Sequence, residues 1–387
     1  MVCLAACLAL AVAMGVGRFA FTPLLPLMAR DGVLAGNAGA WLAASNYLGY
    51  FLGAMVAGRL PFSNLALLRG GLTGIVVFTA AMGIDGPLAW WALLRFLAGA
   101  FSAWVLVATS SWALGRLARA GRPDLAGVIY AGVGLGIAAT GVFCLVAAHV
   151  PAAWLWIELG ALAALVCVIP LAITRGAAPV QAQAEAAPAA SAIQASSGAP
   201  AGSAGLVVCY GLFGFGYILP ATFLPALARQ LVDDPQVFGW AWPLFGLAAA
   251  LSTLASAWCL RRVDRLRVWA VSHMLMAAGA LLPGMLLSPL SVALAALLVG
   301  GSFMVATMAG MQEGRERAGT HATAFLARMT AAFALGQFAG PLVSAALAWL
   351  PAGHAAALDI ALQLAALGLA LSAAWLWRAS RSGLHYR

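Results

Sequence analysis

The sequence contains no lysine, so all 20 of its basic residues are arginine. Charge of either sign is scarce, because charged residues make up 8% of the 387 positions, whereas soluble domains contain about 25%. Hydrophobic residues make up 64% of the chain. This balance excludes an ordinary soluble protein and indicates a chain that lies in lipid.

Several chemical signatures are also missing. The six cysteines show no CxxC spacing and the five histidines are not clustered, so we expect neither disulfides nor a metal site. The sequence has no GxxxxGK[ST] phosphate loop and no hydrolase motif, which argues against an enzyme, a cofactor and ATP-driven transport. The arginines are scattered through short loops, so nucleic acid is not an expected partner.

Apolar runs of membrane-spanning length recur twelve times, separated by Gly, Pro and Arg. A spanning helix needs about 20 residues, so twelve helices leave room only for short loops. The first run continues into GVGRFAFTPLLP rather than a cleavage site, and we interpret it as a helix instead of a signal peptide. The predicted helices are residues 2 to 28, 39 to 58, 70 to 84, 88 to 113, 125 to 149, 152 to 173, 204 to 227, 237 to 260, 268 to 287, 290 to 311, 320 to 348 and 355 to 377.

The twelve helices fall into two sets of six. Residues 174 to 203 between them are dominated by Ala, Pro, Gln and Ser, as is typical of a flexible linker. The predicted domains are therefore an N-terminal six-helix bundle (1–173), a cytoplasmic linker (174–203) and a C-terminal six-helix bundle with a short cytoplasmic tail (204–387).

Arginine placement predicts the orientation. Fifteen of the 20 arginines lie in alternate loops or in the C-terminal tail, whereas the opposite loops contain only Arg30 and Arg229. Because positively charged loops stay in the cytoplasm, both termini are predicted to be cytoplasmic, in a bacterial inner membrane.

The two sets resemble each other at a constant offset of 199 residues. This is the pattern of a two-fold pseudosymmetric transporter, with its substrate site at the interface between the repeats. Tyr217 stands where the first half has Arg18, so the symmetry is broken where charge appears. The matching pairs are Gly15 with Gly214, Gly17 with Gly216, Pro26 with Pro225, Arg30 with Arg229, and Trp41 with Trp240.

Three arginines, Arg18, Arg95 and Arg328, lie inside apolar segments, and no carboxylate lies deep enough to neutralise them. Charge at such depth is rarely kept without a function, so we expect these arginines to line a cavity that prefers anions. Two alternatives for Arg95 stay open: it caps carbonyls of a neighbouring helix, or it pairs with Asp85 or Glu158.

Neighbouring polar residues complete the predicted substrate site. Thr22 follows Arg18 at i+4 on the first helix, and Asn46 and Tyr50 are spaced i, i+4 on the second. The full set of predicted substrate-binding residues is Arg18, Thr22, Asn46, Tyr50, Arg95, Tyr217, Arg328 and Gln337.

Sequence motifs carry a family resemblance over nearly the whole chain. Arg95, Gly99 and Ala103 match the R-x-x-q-G-x-g-a-A motif of the fourth helix, and a glycine-rich motif follows in the fifth. Together with GVGRFAFTPLLPLM at 15 to 28 and SNYLGYFLGA at 45 to 54, they resemble the YbfB/YjiJ-type branch of the major facilitator superfamily. The resemblance implies a fold of twelve transmembrane helices and transport without ATP, and it leaves the cargo open.

The sequence therefore predicts an all-α membrane protein that moves a small organic anion by alternating access. Export of hydrophobic drug-like compounds coupled to protons is the alternative, and a non-transporting membrane sensor or scaffold is the rival from another class. Glu158 and Asp359, near the outer ends of the sixth and twelfth helices, are the candidates for proton coupling. A proton carried by the substrate and proton-free exchange are the other options. We expect a monomer whose partners are the substrate and the lipid bilayer.

Overall fold

The structure is a computed structural model that describes residues 1–34, 37–57, 60–122, 125–175, 203–229, 239–260, 262–286, 288–318, 322–349 and 353–381. All the regular secondary structure in these ranges is helical, as predicted. Most of the predicted linker (176–202) and the end of the tail lie outside the described residues. The helices are α1 (Val2–Arg30), α2 (Ala38–Ala57), α3 (Asn64–Ala81), α4 (Leu88–Arg119), α5 (Ala126–Val146), α6 (Ala152–Arg175), α7 (Ser203–Arg229), α8 (Ala241–Cys259), α9 (Arg265–Met285), α10 (Pro289–Ala318), α11 (Ala322–Leu347) and α12 (Gly353–Arg381).

Ten of the described helices are long and apolar enough to cross a membrane. Several of them extend beyond the predicted ends. The helix α3 begins at Asn64 instead of residue 70, because the Ser63 hydroxyl caps it by accepting a hydrogen bond from the Ala66 amide. At their other ends, α4, α10 and α12 continue through charged turns. Hydropathy marks the part of a helix that suits lipid, not the polar turns beyond it.

The first helix, α1, is not one regular α-helix, and its glycines and prolines predict such a loosened backbone. It is α-helical over Val2–Leu10, π-helical over Ala11–Arg18 and α-helical again over Phe21–Arg30. The Phe19 amide donates to the carbonyl of Met14, five residues back, at 3.0 Å. Gly15 and Gly17 favour helix weakly, and Pro23 has no N–H, so an irregular backbone is least costly here.

The sequence repeat corresponds to repeated helix packing. In the first half, a side chain on Gly15 of α1 would collide with the backbone of Gly136 on α5, and one on Gly136 would collide with the backbone of Ala11. In the second half, Gly214 of α7 lies in the same way against the backbone of Phe333 on α11. Small residues therefore bring α1 to α5, and α7 to α11, at equivalent positions.

The two halves meet mainly along three pairs of helices: α2 with α11, α5 with α8, and the second part of α1 with α7. The α5–α8 contact is close, because Gly134 and Gly246 face each other across it. The residues between α1, α2, α7 and α11 consequently lie at the centre of the molecule.

Candidate functional site

A chain of polar side chains crosses the boundary between the halves. Arg18, at the end of the π-helical segment, is 2% exposed, and its Nη2 donates to Oε1 of Gln337 on α11 at 2.9 Å. Gln337 Nε2 in turn donates to the hydroxyl of Tyr217 on α7 at 2.5 Å. Three residues that the sequence singled out in different helices are therefore in contact.

Aromatic rings surround the Arg18 guanidinium. Its Cζ lies 4.0 Å from the ring centre of Tyr50, 5.0 Å from that of Phe19 and 5.5 Å from that of Tyr47. A cation over a ring face is stabilised by the negative face of the π system, and more so when water is excluded. These rings offset part of the desolvation cost of the buried charge, without neutralising it.

Arg95 occupies a different place from Arg18. It is equally buried, but its Nη2 donates to the backbone carbonyl of Arg18 at 2.8 Å and its Nη1 donates to that of Gly17 at 3.3 Å. The Arg18 carbonyl lacks a helical partner because the Thr22 amide donates to Phe19 instead and Pro23 has no N–H. The structure thus matches the alternative in which Arg95 caps carbonyls of a neighbouring helix.

Asn46 on α2 also donates a hydrogen bond to the irregular backbone at the end of the π-helical segment of α1. Its Nδ2 donates to the carbonyl of Gly17 at 3.2 Å and to that of Arg95 at 2.8 Å, and the side chain is fully buried. The contact depends on Gly99, since a side chain there would collide with the Asn46 carbonyl. We name Arg18, Asn46, Arg95, Tyr217 and Gln337 the central network.

Within the described residues, no carboxylate contacts the central network. Ion pairs at helix ends, away from the network, include Arg30 with Asp31 at 2.7 Å, Arg317 with Glu313 at 2.6 Å, and Arg265 with Glu316. The Nε atoms of Arg18 and Arg95 and the Oδ1 of Asn46 are buried without a partner. Arg18 therefore presents positive charge to the boundary between the halves.

Of two other predicted substrate-binding residues, Thr22 lies near the central network and Arg328 lies away from it. Thr22 is buried on α1, one turn beyond Arg18. Arg328 is partly buried, and its guanidinium lies 5.5 Å from the ring of Phe325 on its own helix. The helix α11 begins at Ala322, close to the predicted start, so Arg328 is in its second turn, near one end.

The candidates for proton coupling do not contact the central network either. Glu158 is exposed on α6, and Asp359 is partly buried in the second turn of α12, facing Gly284 of α9. Both lie near the helix ends where the sequence placed them.

Besides Phe19 at the Arg18 guanidinium, sequence reasoning missed three aromatic participants. The Tyr47 hydroxyl lies 2.7 Å from that of Thr222 on α7, a second hydrogen bond between the halves. Tyr217 is stacked between Phe303 and Phe333, at ring-centre distances of 5.4 and 5.6 Å. The i, i+3 spacing of Tyr47 and Tyr50 was a signal for the first, whereas nothing in the sequence brings Phe303 and Phe333 to Tyr217.

Comparisons with known proteins agree with this architecture. Residues 10–376 match the model of a family described as the uncharacterised MFS-type transporter YbfB. The crystal structure of the nucleoside transporter NupG is similar in fold, with a TM-score of 0.74 over 98% of this chain and 100% of that one, at 13% sequence identity. A stretch of 93 residues is 32% identical to the uncharacterized MFS-type transporter YceJ of Bacillus subtilis (strain 168) and spans only 24% of that protein's length.

The family model covers almost the entire chain, including every residue of the central network. The fold match extends over both halves of the chain, since it covers 98% of its length. The chain is therefore a multi-pass membrane protein and a secondary transporter rather than an enzyme, and it belongs to the YbfB-type family of the major facilitator superfamily.

Proposed function

We propose that the protein moves a small organic anion across the bacterial inner membrane by alternating access, with Arg18 as the residue that binds the charge. One observation carries the proposal: Arg18 is buried between the halves with a neutral amide, Gln337, as its polar side-chain partner instead of a carboxylate. Arginine stays ionised and binds a carboxylate through two parallel hydrogen bonds. A carboxylate would therefore bind Arg18 more strongly than Gln337 does.

The position of these contacts links binding to movement. Arg18 with Gln337, and Tyr47 with Thr222, are hydrogen bonds between the two halves. Opening the central site requires the halves to separate, which breaks both bonds. A neutral hydrogen bond contributes only about 0.5 to 1.5 kcal/mol and one to a charged group about 1.5 to 3 kcal/mol. When the halves separate, the hydrogen bond between Arg18 and Gln337 is lost. A substrate that binds Arg18 in place of Gln337 offsets a loss of this size.

The anion proposal is tested by a thermal-shift screen on the purified protein. Organic acids and drug-like cations of matched size are compared in pairs with the same hydrocarbon body. We expect the acids to raise the melting temperature and the cations to leave it unchanged, because Arg18 repels a buried cation. If the cations stabilise the protein and the acids do not, export of drug-like compounds replaces this proposal.

We also propose that both termini are cytoplasmic. Arginines at the ends of α4, α6 and α12 support this orientation, because positive charge is retained on the cytoplasmic side. Reporter fusions after Arg122 and within residues 174–203 are expected to give cytoplasmic signals, and a fusion near Asp233 a periplasmic one. A periplasmic signal from the 174–203 fusion would reverse the orientation.

For coupling we propose that a carboxylate near the outer helix ends carries the proton. Asp359 is the better placed of the two candidates because it is partly buried, whereas Glu158 is exposed. We expect Asp359→Asn to reduce pH-gradient-driven transport by at least about ten-fold while substrate exchange, which needs no net proton movement, continues. Glu158→Gln is measured in the same proteoliposomes. Full gradient-driven transport in the double variant would exclude both residues.

A further inference from the structure

We infer that the substrate is a monoanion with a flat aromatic body joined to its carboxylate by a short spacer. The inference rests on the proposed function and names the class of anion. Two observations carry it. Arg18 is a buried cation in the central network without a carboxylate partner. A row of stacked aromatic rings reaches the same network at Tyr217.

The single negative charge inferred for the substrate follows from the contacts of Arg18 and Arg95. Arg95 donates to the carbonyls of Gly17 and Arg18, so its charge is already engaged in holding α1. Arg328 is only partly buried and lies over Phe325, without a contact to the central network. Of the three arginines that the sequence singled out, Arg18 is the one left to bind a ligand. A second negative charge on the substrate would be buried without a partner, which is strongly unfavourable.

The body of the substrate follows from the rings of the second half. Neighbouring rings are stacked within 25° of parallel, and their centres lie 4.9 to 5.6 Å apart. In a membrane protein, Trp and Tyr usually gather at the lipid–water interfaces, so a stacked row at the centre of the bundle is unusual. The row consists of Trp242, Phe245, Phe303, Tyr217 and Phe333.

Phe333, at one end of this row, is only partly buried, whereas Trp242, Phe245, Phe303 and Tyr217 are buried. The rings of Tyr210 and Phe213 also contact Phe333, at tilted angles, so a ligand would pack on the part of the Phe333 ring that stays exposed. Phe333 precedes Gln337 by one helical turn, so both side chains lie on one face of α11. If the ring of the substrate packs on Phe333, the carboxylate of the substrate lies beside Gln337. There the Arg18 guanidinium can donate two hydrogen bonds to it. The turn of about 5.4 Å favours a spacer of one or two methylene groups.

The experiment measures dissociation constants on the full-length purified protein with a set of defined probes. Phenylacetate and 3-phenylpropionate are the expected ligands. Phenylacetamide lacks the charge, homophthalate adds a second carboxylate, and cyclohexylacetate replaces the flat ring by a puckered one. We expect the amide and the dianion to bind at least about ten-fold more weakly than phenylacetate. Cyclohexylacetate should bind about three- to ten-fold more weakly.

Variants assign these preferences to residues. Phe333→Leu is expected to abolish the preference for phenylacetate over cyclohexylacetate, and Phe333→Tyr to retain it. Phe338→Leu is the matched control, because Phe338 is also partly buried on α11 but makes none of the ring contacts in the described part of the chain. The ratio of two affinities in one variant does not depend on the fraction of folded protein, so a poorly folding variant remains informative.

The outcomes separate this inference from the proposed function. Equal or tighter binding of homophthalate, or of cyclohexylacetate, would overturn the aromatic monoanion while the anion proposal stands. Tighter binding of the neutral amide would overturn both. If none of the probes binds while other organic acids do, the aromatic class is wrong and the anion proposal stands.

Discussion

Replacing Arg18 by lysine is expected to weaken binding of an organic anion by about ten-fold or more, and replacement by glutamine is expected to weaken it further. Lysine keeps the charge but loses the planar fork, whereas glutamine loses both. Hydrogen bonds to charged groups contribute about 1.5 to 3 kcal/mol, and about 1.4 kcal/mol corresponds to a factor of ten in affinity. Dissociation constants of an organic acid for the wild type and the two variants provide the measurement.

The melting temperature of the Arg18 variants is the accompanying control. We expect it to stay near the wild-type value, because the guanidinium of Arg18 donates to Gln337 and to no helical backbone in the described structure. Arg378→Lys, on an exposed position of α12, should change neither quantity. If Arg18→Gln binds the acid normally but folds poorly, Arg18 is a structural residue and the anion proposal fails.

The opposite result is expected for Arg95. Arg95→Gln should lower the free energy of unfolding by about 1 to 3 kcal/mol, because the buried Arg18 carbonyl loses its donor, whereas the Gly17 carbonyl keeps its hydrogen bond from Asn46. Arg95→Lys should have an intermediate effect, since an ammonium group can reach one of the carbonyls. The melting temperature and the monodisperse yield in detergent measure the loss.

This expectation differs from the one that the sequence supports. From sequence, Arg95 is expected to be a ligand like Arg18, so that both variants bind weakly while folding normally, and a role as a cap is left open. In the structure Arg95 holds the broken backbone of α1, so binding in Arg95→Gln should fall because Arg18 is displaced. If Arg95→Gln melts like the wild type but no longer binds the acid, Arg95 is a direct ligand instead of a cap.

The aromatic rings show how little of the binding surface is local in sequence. Tyr50 lies 4.0 Å from the Arg18 guanidinium and comes from a different helix. Phe303, stacked on Tyr217, comes from yet another. Helical periodicity groups residues on one helix, but it does not fix the rotation of that helix against its neighbours, which decides which rings meet.

The sequence by itself determined the class of the protein: an all-helical membrane chain of twelve segments in two similar halves. The reason is that a helix in lipid must satisfy its own backbone hydrogen bonds, so each apolar run of sufficient length becomes a helix regardless of its neighbours. The same independence explains why the predicted helix ends were less accurate, since polar turns such as those closing α4 and α10 continue the helix outside the apolar run.

Only the tertiary structure decided what each buried arginine does. Arg18, Arg95 and Arg328 are the same residue type in similar apolar surroundings, yet one bridges the halves, one caps a broken helix and one lies near a helix end. These roles depend on the π-helical turn of α1 and on a partner, Gln337, that is 319 residues from Arg18 in the chain. The glycines and proline of α1 indicate the irregular turn locally, but no local pattern encodes the partner, because Gln337 meets Arg18 only when the two halves pack together.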